Sequence, residues 1–309
     1  MNYALSPTVT AALTGKLIFI TGSEGFLGRH LTAALREIGA SVVGFDIRNG
    51  PGEDVSNMKM LDEKSALFEA ADYVIHAAGI ASPYHYRRLP LVALDAATKG
   101  TRNLLELALT MPKRPKVLYL SSSEVYGNPA IVPTPESYIG ALDPLSPRAC
   151  YDVSKALGET LVKIYADQGV RATMVRLFNA YGPGMAEDDR RFMPQLRRAK
   201  LTGEPMRVYG SGTQTRAFCF VSDTVRGCLQ ALVFGGKARV YNIGNATSEL
   251  TMPEVCRLAG VHLEVVPYPK EWPAEEPMRR CPDISRAREE LEYRPVVSME
   301  EGLAEFLKP

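Results

Sequence analysis

Residues 16–46 constrain this chain more than any other stretch. Lys16–Thr21 is a short apolar run of the kind that forms a buried parallel strand. It leads into Gly22, Gly25 and Gly28 at three-residue intervals. Phe26, Leu27, Leu31, Ala34, Leu35 and Ile38 then recur at helical spacing, and Gly39 stops the helix. Ser41–Asp46 is a second strand ending on an acid, 18 residues after Gly28. Glycines in such a turn let the backbone come close to a pyrophosphate at the positive end of a helix. An acid at that separation suits a ribose hydroxyl. The unit therefore predicts a dinucleotide site, with Gly22, Gly25, Phe26, Leu27 and Gly28 at the phosphates and Asp46 on the adenosine ribose. A carboxylate there repels a 2′-phosphate, so NAD is expected over NADP. Arg48, two residues on, is the feature that would welcome that phosphate.

The alternation continues along the chain. Asp54 and Val55 follow a turn-rich stretch and are placed at the cofactor. Asp72–Ala77 reads as a strand that closes on Ala77, Ala78 and Gly79, small enough for a cofactor to pass. Pro90–Leu109 reads as one long helix, Lys116–Ser121 as a strand, and residues 128–147 as a loop rich in proline and acids. A helix from Tyr151 to about Gln168 and a strand over Arg171–Leu177 follow. Repeated units of this kind specify an α/β fold, a doubly wound parallel sheet of Rossmann type. After Asn179 the texture breaks into short elements, expected to form a smaller C-terminal substrate-binding region. The division predicted is a flexible leader over 1–15, a dinucleotide-binding domain over 16–178, and a mainly sugar-nucleotide-binding region over 179–309 whose strands can return to the main sheet.

Composition excludes several classes. A formal net charge of +1 gives no bulk field for nucleic acid or membranes. No apolar run reaches the ~18 residues of a membrane span. Five cysteines without a C-x-x-C pair fit a reduced, cytoplasmic compartment. The four histidines lack metal-ligand spacing, so no metal is expected.

Tyr151 and Lys155 lie four residues apart, on one face of a helix. An ammonium nearby favours the charged form of a phenol, which then serves as a base toward an alcohol. On its own this spacing is common. Joined to the glycine turn, Asp46, His76-Ala77-Ala78-Gly79 and Ser122-Ser123-Glu124, it resembles the extended short-chain dehydrogenase/reductase family over most of the chain. That resemblance makes Tyr151 the catalytic base, Lys155 the ligand of the nicotinamide ribose that lowers the tyrosine pKa, and Ser122 the hydroxyl at the reacting oxygen.

Within that family the chain is similar to the UDP-glucuronate decarboxylases. Ser123–Pro129, Pro147–Asp152, Arg176–Pro183, Val208–Phe218 and Arg280–Ile284 carry the likeness. It implies oxidation of the sugar at C4, loss of carbon dioxide from the 4-keto intermediate, and formation of UDP-xylose with some release of UDP-4-keto-pentose. Glu124, with Ser123 beside it, is the candidate acid or base at C5. Arg280 is expected on a carboxylate or phosphate, Arg191 and Arg216 on the diphosphate, Asn179 on the nucleotide and Tyr209 on the uracil ring. Ser82, Arg148, Gln195 and Gln214 complete the expected substrate set. The family also implies a homodimer through the 90–109 and 151–168 helices.

The chain departs from the decarboxylase pattern in places. Ala97 stands for an asparagine, Gly184 for an arginine, and Met193–Leu196 for a segment whose asparagine touches the nucleotide. The rivals are a 4-epimerase, a 4,6-dehydratase and a catalytically silent NAD binder. Dehydratases carry adjacent Asp-Glu where this chain has Ser123-Glu124. An epimerase has no need of Glu124, and a silent binder would not need Ser122, Tyr151 and Lys155 together.

Overall fold

The computed structural model describes residues 3–50, 52–58, 65–268 and 277–308. Its centre is a six-stranded parallel sheet. In chain order the first five strands are β1 (Leu17–Thr21), β2 (Ser41–Phe45), β3 (Tyr73–His76), β4 (Lys116–Ser122) and β5 (Ala172–Leu177). Then come β6 (Ala180–Tyr181), β7 (Met206–Tyr209), β8 (Thr215–Ala217), β9 (Cys219–Phe220), β10 (Val240–Ile243), β11 (Glu249–Thr251), β12 (Leu263–Val266) and β13 (Arg279–Arg280). The main sheet runs β10-β5-β4-β3-β1-β2. Strand order reverses beside β1, and ligands of such sheets bind past the strand C-termini at that reversal. Gly22, Ala77 and Ser123 each follow directly on a strand there.

Both faces of the sheet are covered, which is why its strands are apolar throughout instead of alternating. Along β4, Val117 and Tyr119 enter one core while Leu118 and Leu120 enter the other. Phe19 of β1 likewise opposes Ile18 and Ile20. The Ala149–Asp167 helix lies on the Tyr119 face. Gly158 makes that approach possible, since a Cβ there would sit 2.0 Å from the Tyr119 hydroxyl. One turn after Lys155, Glu159 takes a bidentate pair from Arg176 of β5 at 2.9 and 2.7 Å and a hydrogen bond from Ser121 at 2.6 Å. This fixes the rotation of the helix that carries Tyr151.

The structure corrects two expectations. Residues 3–13 are not a flexible leader. Pro7–Leu13 is a helix capped by Ser6, Val9 and Leu13 are fully buried, and Tyr3 bonds His30 at 2.9 Å. Ser6, Pro7, Thr8 and Thr10 interrupt the apolar residues of this segment, so no helical stripe stands out in the sequence. The 90–109 segment is also two helices, Pro90–Ala97 and Lys99–Thr110, broken at Thr98. Thr98 and Thr101 turn their hydroxyls back onto the Leu94 and Ala97 carbonyls, each at 2.7 Å, a contact that bends helices.

Residues beyond 179 do not pack as a separate body. The Val221–Phe234 helix lies against β4, β5 and the Phe26–Glu37 helix, and β10 joins the sheet beside β5. The remainder forms small sheets, β11-β8-β13 among them, in which Arg280 pairs with Arg216.

If the N-terminal helix belongs to the core, Leu13→Ala lowers unfolding free energy by about 2–5 kcal/mol. Urea denaturation reads this directly. A change close to zero would return these residues to the status of a leader.

Candidate active site

Two clefts meet at the C-terminal ends of the strands. The inner one, about 230 Å³, is lined by Gly22, Gly25, Phe26, Leu27, Gly28, Ala77, Gly79, Ser122, Ser123, Tyr151 and Lys155, with others. Gly22 has φ +72°, and a Cβ there would lie 2.6 Å from the Ala78 nitrogen. On Gly28 a Cβ would lie 2.0 Å from the Gly22 carbonyl oxygen. Gly25 caps the Phe26–Glu37 helix with no side-chain bond, so the first N–H groups of that helix are left to an anion. These features fit a dinucleotide. Asp46 accepts from Glu24 N and Arg48 N, each at 2.9 Å, across the mouth of the turn. Arg48 donates to the Glu24 carbonyl at 2.7 Å. Asp54 accepts from both the nitrogen and the hydroxyl of Ser56, and Val55 is buried against Gly100. Asp46, Arg48, Asp54, Val55 and Ala78 line neither cleft.

Tyr151 is buried, stacked on Tyr86 with ring centroids 5.2 Å apart and planes 3° from parallel. Burial pushes its phenol up to about 12, a hydrogen bond to Ser122 and the charge of Arg191 pull it down, and Glu124 and Asp152 push it further up. Lys155 Nζ donates to the Leu120 carbonyl at 2.8 Å and sits 6.0 Å from the Tyr151 ring. Burial lowers it to about 8. The resemblance implies that Lys155 lowers the phenol; in this structure burial is the largest influence on Tyr151 and raises it. Behind the lysine, His76 bridges Thr21 (2.7 Å) and Thr101 (3.0 Å), and burial holds it neutral with a pKa lowered to about 3. Thr101 in turn bonds the carbonyl of Ala97, where the family pattern carries asparagine.

Glu124 stands at the junction of the clefts. Its Oε2 accepts from Arg148 at 2.5 Å and from Arg280 at 3.0 Å. Burial alone would raise its pKa, but Arg148, Arg280 and Arg216 hold it well below the ordinary carboxylate value. Arg280 is 2% exposed and also donates to the Ser123 and Gly127 carbonyls. It lines neither of these clefts but a third cavity beside Glu124, and its side chain is bonded to Glu124 in this structure. The arginines at the clefts are Arg148, Arg190, Arg191, Arg207 and Arg216.

The outer cleft, about 200 Å³, brings together Asn179, Arg191, Gln195, Tyr209, Gln214 and Arg216. Arg191 is clamped by Asp189 at 2.8 Å from Nε, and Asp189 also accepts from Ser82 at 3.0 Å. Ser82 therefore acts behind Arg191 and lines neither cleft. Arg216 donates to the Pro277 carbonyl at 2.7 Å, and Gln214 to that of Tyr209 at 3.1 Å. Tyr209 packs on Tyr268, centroids 6.0 Å apart. Sequence reading missed Tyr86, Asp189 and Tyr268. Tyr86 is 65 residues from the ring it stacks on, and no local pattern marks it. Asp189 lies in the run Asp188-Asp189-Arg190-Arg191, whose composition alone does not set it apart from a solvated face.

The model of the NAD dependent epimerase/dehydratase family matches residues 18–244. UDP-glucuronic acid decarboxylase 1 of Danio rerio is 37% identical over 304 residues, covering 93% of this chain and 71% of that protein. The epimerase of Methanothermobacter thermautotrophicus superposes with a TM-score of 0.84 at 27% identity, over 97% of this chain and 93% of that one. MoeE5, solved in complex with UDP-glucuronic acid and NAD, gives 0.78 at 29% identity, over 94% and 97%.

Gly28→Ala forces a methyl onto the Gly22 carbonyl, and NAD affinity is expected to fall at least about tenfold, on the order of 1.4 kcal/mol. Titration calorimetry with NAD measures it. Unchanged affinity would remove the glycine turn from the cofactor site.

Proposed function

This chain belongs to the NAD dependent epimerase/dehydratase family, and on that footing we propose that it converts UDP-glucuronic acid to UDP-xylose and carbon dioxide. The observation that carries the reading is Glu124, an ionised carboxylate where the catalytic and sugar-nucleotide clefts join. A dehydratase needs a second acid at position 123, where this chain has a serine.

The sugar C4 lies against Tyr151 and Ser122, and its carboxylate points toward Glu124 and the guanidinium of Arg148. Bound NAD supplies the oxidant and then the reductant at C4, and its positive charge favours the phenolate. Tyr151 takes the proton of the C4 hydroxyl, and Ser122 holds the oxygen. The ketone formed is β to the carboxylate. The C5–C6 bond then breaks, carbon dioxide leaves, and the electron pair moves into an enolate whose oxygen Tyr151 and Ser122 bond. A proton added at C5 gives the 4-keto-pentose, and Tyr151 returns its proton as C4 is reduced. Arg191 and Arg216 bind the diphosphate, with Asn179 and Gln214 beside them. Tyr209, backed by Tyr268, takes the uracil face.

The assembly is a homodimer in this reading. Its support is an apolar stripe on the helices beside the site: Leu91 is 74% exposed, with Val92, Leu94, Leu157 and Ile164 also exposed. The compartment is the cytoplasm, in keeping with five free cysteines, four of them buried. Among the described residues no helix is long and apolar enough to cross a membrane.

Incubation with UDP-glucuronate should release carbon dioxide and yield a nucleotide pentose by mass spectrometry. Tyr151→Phe should lower turnover by about 10²–10⁴-fold while NAD still binds. Absence of carbon dioxide from the wild-type protein would sink the decarboxylase reading. Light scattering should give a dimer that Leu91→Glu converts to a monomer, whereas a monomeric wild type removes the stripe from any interface.

A further inference from the structure

Asp152 follows the catalytic tyrosine and is 8% exposed. Among the described residues its Oδ1 is buried without a hydrogen-bond partner. Among them, too, its Oδ2 has a long contact, 3.5 Å, with Arg148 Nε. The same guanidinium holds Glu124 by its other end. One cation thus stands between two carboxylates, one well bonded and one poorly. Behind them lies a third cavity of about 240 Å³, lined by Glu124, Arg148, Asp152 and Arg280. Exposed Asn128, Ala141 and Asp143 also line it, so it reaches the surface away from the two clefts. A polar cavity of that size holds several waters.

Decarboxylation of a uronate consumes one proton per turnover. The C5–C6 bond breaks, its electrons become the enolate, and a C5–H bond must form. Glu124 is held in its ionised form and cannot supply that proton from rest. We infer that Asp152 is a positioning residue for this step: it holds the solvent proton in reserve and passes it through cavity water to Glu124, which delivers it to C5. This role rests on the decarboxylase reading above.

The surroundings of Asp152 agree with it. Burial and the negative charge of Glu124 raise its pKa, against the opposing charges of Arg148 and Arg280. Tyr86, Tyr151 and Cys150 also face it, and all three have raised pKa values, so none of them adds charge near neutrality. Arg87 is the further cation on that side, felt by Tyr86 and Cys150. Asp143 shares the cavity. The protonated form is the competent one, so delivery weakens as pH rises through the raised value.

The test follows single turnovers of full-length protein loaded with NAD and UDP-glucuronate, comparing wild type, Asp152→Asn and Asp152→Glu. Reduced cofactor is read by its absorbance, and pentose by mass, with deuterium from heavy water marking C5. Asp152→Asn should form reduced cofactor within about twofold of wild type, yet form C5-labelled pentose at least about tenfold more slowly. It should also lose the alkaline limb of the wild-type pH profile, and Asp152→Glu should restore both rate and limb. If Asp152→Asn slows both steps equally, or neither, the role is overturned. A wild type that releases no carbon dioxide overturns the decarboxylase reading and this role with it. Release by the wild type with Asp152→Asn unaffected overturns this role alone.

Discussion

Glu124 ionises where burial would keep it neutral, because two guanidiniums from distant parts of the chain converge on it. Arg148 comes from the start of the catalytic helix and Arg280 from β13, more than a hundred residues later. Arg280 is fully enclosed and also takes the Ser123 and Gly127 carbonyls. Buried pairs of this kind add little net stability against an apolar alternative, but removing one partner strands a charge at a cost of about 3–5 kcal/mol. The cluster therefore works as a register. It pins the end of β4, the catalytic helix and the late small sheet at one point, and that point is where the two clefts meet.

The same cluster sets opposing pH dependences. Glu124, lowered in the folded state, contributes stability above the ordinary carboxylate range and loses it as pH falls through the lowered value. Asp152, raised, does the reverse: its contribution is present at acid pH and fades as pH rises through the raised value. A fold selected for stability alone would not keep an unbonded carboxyl oxygen beside a carboxylate. Perturbed pairs of this type are a mark of functional sites.

Much of the fold was readable because the main-sheet strands are covered on both faces and the turn glycines that matter sit where a Cβ cannot. Gly22 and Gly28 are examples, and the sequence spacing alone located them. The positions of Tyr151, Lys155, Ser122 and Glu124 on one cleft follow from their places at strand ends and on one helix. What the sequence hid was relational. Thr98 breaks a helix through a side-chain hydroxyl that composition treats as neutral. Residues 3–13 look like a tail until Val9 and Leu13 are seen to fill the core. Arg280 pairs with Glu124 across 156 residues, and nothing local to either residue says so.

Tyr151 shows why pairwise reasoning from spacing fell short. Lys155 lies one turn away, but its ammonium is turned to the Leu120 carbonyl, and both side chains pay for burial in opposite directions. The phenol rises and the ammonium falls, burial being the largest cause for each. At rest the phenol keeps its proton. In the reading proposed above, the positive charge of a bound nicotinamide brings the phenol down, and the glycine turn, open helix terminus and small residues Ala77 and Gly79 fit the inner cleft for it. In that reading base strength depends on the cofactor, so the acid–base step is coupled to the redox step through charge.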